Sequence, residues 1–113
     1  MAGLKNVELK IEEKSGLFFL YCSYSSSFRN EGVTKKIAIP KEFFLSLFKK
    51  IKEMLEMRSG GFSEFFEDYE AIVTYGGRDY QPIIDIVIVK GESVDSVPIP
   101  EKDCFKLIES LGI

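Results

Sequence analysis

Histidine and tryptophan are absent from this 113-residue chain, cysteine occurs twice, and side-chain amides are confined to Asn6, Asn30 and Gln81. Without histidine, Ser-His-Asp and Cys-His catalysis and most zinc sites are excluded. Cys22 and Cys104 are too few and too far apart in sequence to hold zinc unaided. Both are expected to be reduced, buried thiols, with a disulfide as the rarer alternative. No run approaches the ~18 apolar residues that cross a membrane, so no membrane partner is expected. The opening MAGLKNVELK has no apolar leader core, and the expected location is cytoplasmic. Gly60-Gly61 and Gly76-Gly77 match neither a phosphate-binding loop nor a dinucleotide fingerprint. No catalytic residue, metal site or cofactor is assigned, and the chain is read as a non-enzyme.

Hydrophobic residues make up 45% of the chain and include ten phenylalanines, enough for one phenylalanine-rich core in a single domain, 1–113. Abundant Lys, Glu and Ile beside few amides resembles thermophile composition. The net charge of −3 is unevenly spread. Residues 1–52 hold ten basic and five acidic side chains, a net +5; residues 53–113 hold five and thirteen, a net −8. Such asymmetry marks either a basic binding face on an acidic body or two unevenly solvated halves.

The most informative stretch is VTKKIAIPKEFFLSLFKKIKEMLEM, residues 33–57. Val33, Lys35, Ile37 and Ile39 alternate with Thr34, Lys36 and Ala38, a strand period. Pro40 ends the ladder and can open a helix. Phe44, Leu47, Phe48, Ile51 and Leu55 then recur at helical spacing over 41–57. Phe43, Leu45, Met54 and Met57 widen the apolar surface and are assigned to a dimer or partner interface, with a simple core helix as the equal alternative. Strands are also expected over 6–13, 17–28, 69–75, 82–90 and 94–99, with a shorter helix over 101–111. Residues 59–68 read as a connector, in which Ser63 caps a short turn. Glu64, Glu67, Asp68 and Glu70 read as a solvated acidic rim, and Asp85 as a solvent-facing or lysine-paired carboxylate.

Pro40 and Pro100 stand in matching contexts. Ile37 pairs with Val97, Ile39 with Ile99, Phe44 with Cys104, Leu47 with Leu107, Phe48 with Ile108 and Ile51 with Leu111. The expected fold is therefore α+β: two βββα repeats, over 4–58 and 67–113, with antiparallel sheets and two helices.

Gly16-Leu17-Phe18-Phe19-Leu20, a glycine turn into an aromatic strand, and Ile37-Ala38-Ile39-Pro40 running into Phe44, Leu47 and Phe48 resemble the PUR-repeat and Whirly class. The resemblance implies duplicated units of strands followed by a helix, usually four strands to a unit where three are counted here. It also implies single-stranded DNA or RNA as partner. On the residues themselves, Tyr21, Tyr24 and Phe28 share a strand near Arg29, Lys35 and Lys36, a combination suited to base stacking and phosphate neutralisation. Tyr21 and Tyr24, three apart on a strand, point to opposite faces, so one of them is expected in the core. The competing expectation is an acidic homodimeric adaptor, similar in bulk properties to secretion chaperones, without nucleic-acid affinity.

Overall fold

The computed structural model describes residues 3–26, 29–78 and 81–113; the side chains of Ser26, Arg29, Asn30, Glu31 and Arg78 are outside that description. Phe28, one of the aromatics assigned to nucleic acid, lies outside the described residues.

Two antiparallel sheets and two helices form the molecule. The first sheet is β1 (Leu4–Lys14), β2 (Leu17–Ser26) and β3 (Arg29–Pro40), in that order. Helix α1 (Lys41–Met57) follows. The second sheet is β4 (Gly61–Phe66), β5 (Tyr69–Arg78), β6 (Gln81–Lys90) and β7 (Ser93–Pro100), again in chain order, and helix α2 (Glu101–Leu111) closes the chain. Both helices have the bounds expected from their apolar spacing.

Two expectations are corrected. Residues 61–66 form a strand instead of a capped turn, so the second unit is ββββα. Strand β3 begins at Arg29, so it takes in the segment 29–32 that lies between the strand expected over 17–28 and the alternation beginning at Val33. Strand β4 departs from simple amphipathic alternation at two neighbouring positions, Glu64 and Phe65. Phe62, Glu64 and Phe66 face inward, and Phe65 is 74% exposed. Gly61 is required at its start, because a Cβ there would sit 2.8 Å from the Val73 carbonyl oxygen.

The duplication is visible in the register. Pro40 lies opposite Leu17, and Pro100 opposite Ile83. Leu20 faces Ile37 as Ile86 faces Val97. Leu9 faces Cys22 as Ala71 faces Ile88. Both prolines take extended backbone angles, φ −55 with ψ 142 and φ −57 with ψ 145, and then enter a helix. Two-residue turns at 15–16, 67–68 and 91–92 join neighbouring strands. Ser15 and Gly16, at φ 54 and 78, have the double left-handed geometry that such hairpins favour.

One core joins both units. Phe18, Leu20 and Cys22 of β2 and Ile37 and Ile39 of β3 face the helices together with Val73, Ile84, Ile86, Val97 and Ile99. Helix α1 contributes Phe43, Phe44, Leu47, Phe48, Ile51, Met54 and Leu55. The Phe44 ring meets Phe18 edge-on at 5.0 Å and stacks on Phe48 at 4.6 Å. Each helix also reaches the other unit: α1 touches β4 and β5, and α2 touches β1. Gln81 ties the units at their margin, accepting from Leu4 N–H at 2.7 Å and donating to its carbonyl at 2.8 Å.

Candidate nucleic-acid interface

Side chains alternate along β2, so burying Phe18, Leu20 and Cys22 turns Leu17, Phe19, Tyr21, Ser23 and Ser25 to the other face. The cross-strand register completes that outer face. Tyr21 lies between Lys10 of β1 and Lys36 of β3. Phe19 lies between Glu12 and Ala38, and Leu17 between Lys14 and Pro40. Ser23 lies between Glu8 and Thr34, its hydroxyl 3.0 Å from that of Thr34. Past a bulge in β1, Lys5 stands opposite Ser25. The centre of the face is therefore aromatic, and its flanks carry Lys5, Lys10, Lys14 and Lys36 with Glu8 and Glu12 between them.

Phe19 and Tyr21 are partly exposed, and the flanking lysines are exposed. Two positions along one strand place the aromatic rings about 7 Å apart. That is about twice the ~3.4 Å rise per nucleotide in one strand of a duplex, so the pair matches an extended, unstacked strand. One ion pair sits on the face: Lys10 Nζ lies 2.8 Å from Glu12, both solvent-exposed. The contact raises the lysine pKa and lowers the glutamate pKa, chiefly through the hydrogen bond between them.

The structure separates the residues that sequence reasoning grouped. Tyr21 and Lys36 are cross-strand neighbours on the outer face. Tyr24 and Lys35 have the opposite parity. Tyr24 is half-buried against the core, where burial, then Cys22 and Asp85, push its hydroxyl pKa up. Lys35, opposite Cys22, is exposed beyond the core on that inner side. These two are removed from the proposed patch, because strand alternation points them away from it. Arg29 lies in β3, with its side chain outside those described. Phe19, Lys5, Lys10 and Lys14 were missed. Phe19 read as one more residue of a strand apolar on both faces, and the lysines of β1 join it only through the cross-strand register.

The dimer assignment also changes. Phe43 and Met54 are buried, Leu45 is half-buried against the core, and Met57 is 74% exposed. The breadth of α1 is taken up within the chain. Phe43 stacks on Phe66 of β4 with centroids 5.3 Å apart, and Lys50 pairs with Glu64 and lies over the Phe62 ring.

Other polar groups serve the scaffold. Tyr75 donates to Glu101, and Arg58 adds an ion pair to Glu101 at 3.7 Å, which joins the end of α1 to the start of α2. Both cysteines are free and buried; burial pushes Cys22 up to about 11 and Cys104 up to about 12, so neither is a nucleophile at neutral pH. Glu64 and Glu70 lie on opposite faces of the second sheet, and no cluster of three metal-ligating side chains occurs among the described residues. Asp85 faces solvent with no lysine at ion-pair distance among the described residues; partial burial raises its pKa. No described helix is long and apolar enough to cross a membrane. Comparisons with family models, with curated proteins and with solved structures find no match for this chain.

Proposed function

We propose that this chain is a single-stranded DNA- or RNA-binding domain of low sequence specificity that seats the strand on the outer face of the β1–β2–β3 sheet. The observation that carries the reading is the row Lys10–Tyr21–Lys36 beside Phe19. Aromatic side chains stack on any base, at about 1–3 kcal/mol each, and flanking lysines neutralise phosphates. The second unit has the four strands that the PUR and Whirly resemblance implies, whereas the first, which carries the proposed face, has three.

Fluorescence anisotropy of a labelled oligothymidylate, titrated at low salt, tests it. About three phosphate contacts give an affinity that falls with salt at a log–log slope of about −2. Absence of binding by the folded protein at low salt overturns the reading.

One observation favours the adaptor reading instead. The outer face of the second sheet exposes Phe65, Ile72 and Val94 beside Val87 and Val89. An apolar face of that kind suits a second protein surface, including another copy of this chain. A dimer in sedimentation that Val94→Lys dissociates, in a protein without oligonucleotide affinity, would favour that alternative.

A further inference from the structure

The two units differ at one edge. In the second sheet β4 lies along β5 and fills that edge; in the first sheet no described strand lies along the corresponding side of β1. The backbone geometry identifies which groups are left there. Lys14 and Leu17 flank a two-residue hairpin and so form a hydrogen-bonded pair, as do Glu12 with Phe19 and Lys10 with Tyr21. The amides and carbonyls of Leu9, Ile11 and Glu13 then point outward, and no described group hydrogen-bonds them. By the shared register, Leu9 and Ile11 correspond to Ala71 and Val73, which pair with Glu64 and Phe62 of β4.

The volume that β4 fills in one unit is not filled by any described strand in the other. Under β4, Phe66 stacks on Phe43 and Glu64 pairs with Lys50, both residues of α1. At the open edge of β1 the corresponding helix is α2. Leu9 and α2 residues Asp103, Lys106, Leu107 and Ser110 line a hollow of about 250 Å³ there. A second hollow, of about 360 Å³, continues past Val7 towards the start of α2 and shares Asp103 and Lys106. Lys106 has no carboxylate at ion-pair distance among the described residues.

We propose that the groove between β1 and α2 takes an extended segment of a partner protein, which adds to β1 as a fourth, antiparallel strand. Main-chain hydrogen bonds to Leu9, Ile11 and Glu13 supply the register, and alternate side chains enter the groove. Strand β4 supplies the pattern, apolar side chains at two inward positions with a carboxylate between them; opposite Leu9 the carboxylate enters the hollow that Leu9 shares with Lys106, one turn from Ser110, the α2 position that matches Lys50. The edge groups of Leu4 already accept such a partner in miniature, the side-chain amide of Gln81. A second copy pairing β1 with β1 is the competing occupant, and edge amides already protected in a dimer without peptide would reveal it. The site is separate from the outer face proposed for nucleic acid.

The experiment is an NMR titration of the isotope-labelled full chain with a synthetic peptide, Gly-Phe-Ser-Glu-Phe-Phe, to millimolar concentration. Shifts of the Leu9 and Ile11 amides, with slowed solvent exchange, are expected. Lys106→Glu, at an exposed position, is expected to weaken binding about threefold, and a peptide with lysine in place of glutamate restores it. The proposal is overturned by silent Leu9 and Ile11 amides, by shifts confined to the Tyr21 face or to β5, or by edge amides already protected in a dimer without peptide.

Discussion

Where the first unit sets Lys10, Tyr21 and Lys36 side by side, the second sets Ile72, Val87 and Ser96 in the same three positions. The neighbouring row, Glu12–Phe19–Ala38, has Thr74–Asp85–Pro98 as its counterpart. One backbone plan thus presents two outer surfaces of different character: aromatic and basic on one sheet, largely aliphatic and acidic on the other, with Phe65 on its edge strand. The inner faces agree far better, as in Leu20 with Ile86 and Ile37 with Val97. Packing holds the inner positions to one kind of side chain, while the solvent faces carry whatever each unit does. On the proposed reading, the two sheets have different tasks.

The largest expected effect concerns how unequally the two helices fill the core. Phe44 and Cys104 occupy matching positions and are both fully buried. Phe44→Ala should cost about 3–5 kcal/mol and Cys104→Ala about 1 kcal/mol, measured by urea unfolding. Equal losses would undo the view that α1 dominates the packing.

Next comes the aromatic difference between the outer faces. Tyr21→Ala and Phe19→Ala should each reduce oligonucleotide affinity by about 1–3 kcal/mol in anisotropy titrations, whereas Val87→Ala in the second sheet should leave it unchanged. Charge follows at smaller magnitude. Lys36→Gln and Lys10→Gln should each make the log–log salt dependence shallower by about 0.7. Because Lys10 is held by Glu12, the Lys36 variant is expected to lose more affinity.

The smallest effect is at Asp85, the counterpart of Phe19. Its folded pKa is raised from 3.8 by burial. The protonated form is therefore favoured on folding, and that stability is fully present below about 3.8 and lost as pH rises through the folded pKa. Asp85→Asn should accordingly be more stable than the parent at neutral pH, and the gap should close in acid. Thermal unfolding at pH 7 and pH 3 measures both arms.

Much of this arrangement could be read in advance from periodicity. The apolar spacing of 41–57 and 101–111 fixed both helices, and the shared Ile-Pro junction exposed the duplication. Strand β4 escaped for a specific reason. Its inward Glu64 is satisfied by Lys50 from α1, and its outward Phe65 is left in solvent, so polar–apolar alternation fails at these two neighbouring positions, the first through a partner distant in sequence. The candidate site was half legible. Tyr21 and Lys36 were identified, but local order grouped them with Tyr24 and Lys35, which alternation sends to the other face. Lys10 and Phe19 become neighbours of the site only once β1 and β2 are registered against each other, a relation that no single segment encodes.

The central claim, that the outer face of the first sheet seats a single strand, is tested most directly by amide and side-chain NMR mapping during titration with an unlabelled oligothymidylate at low salt. The account predicts shifts concentrated at Lys10, Phe19, Tyr21 and Lys36, with Ile72 and Val87 unmoved. Shifts centred on Ile72, Val87 and Val94, or a saturating titration that leaves Phe19 and Tyr21 unchanged, would contradict it.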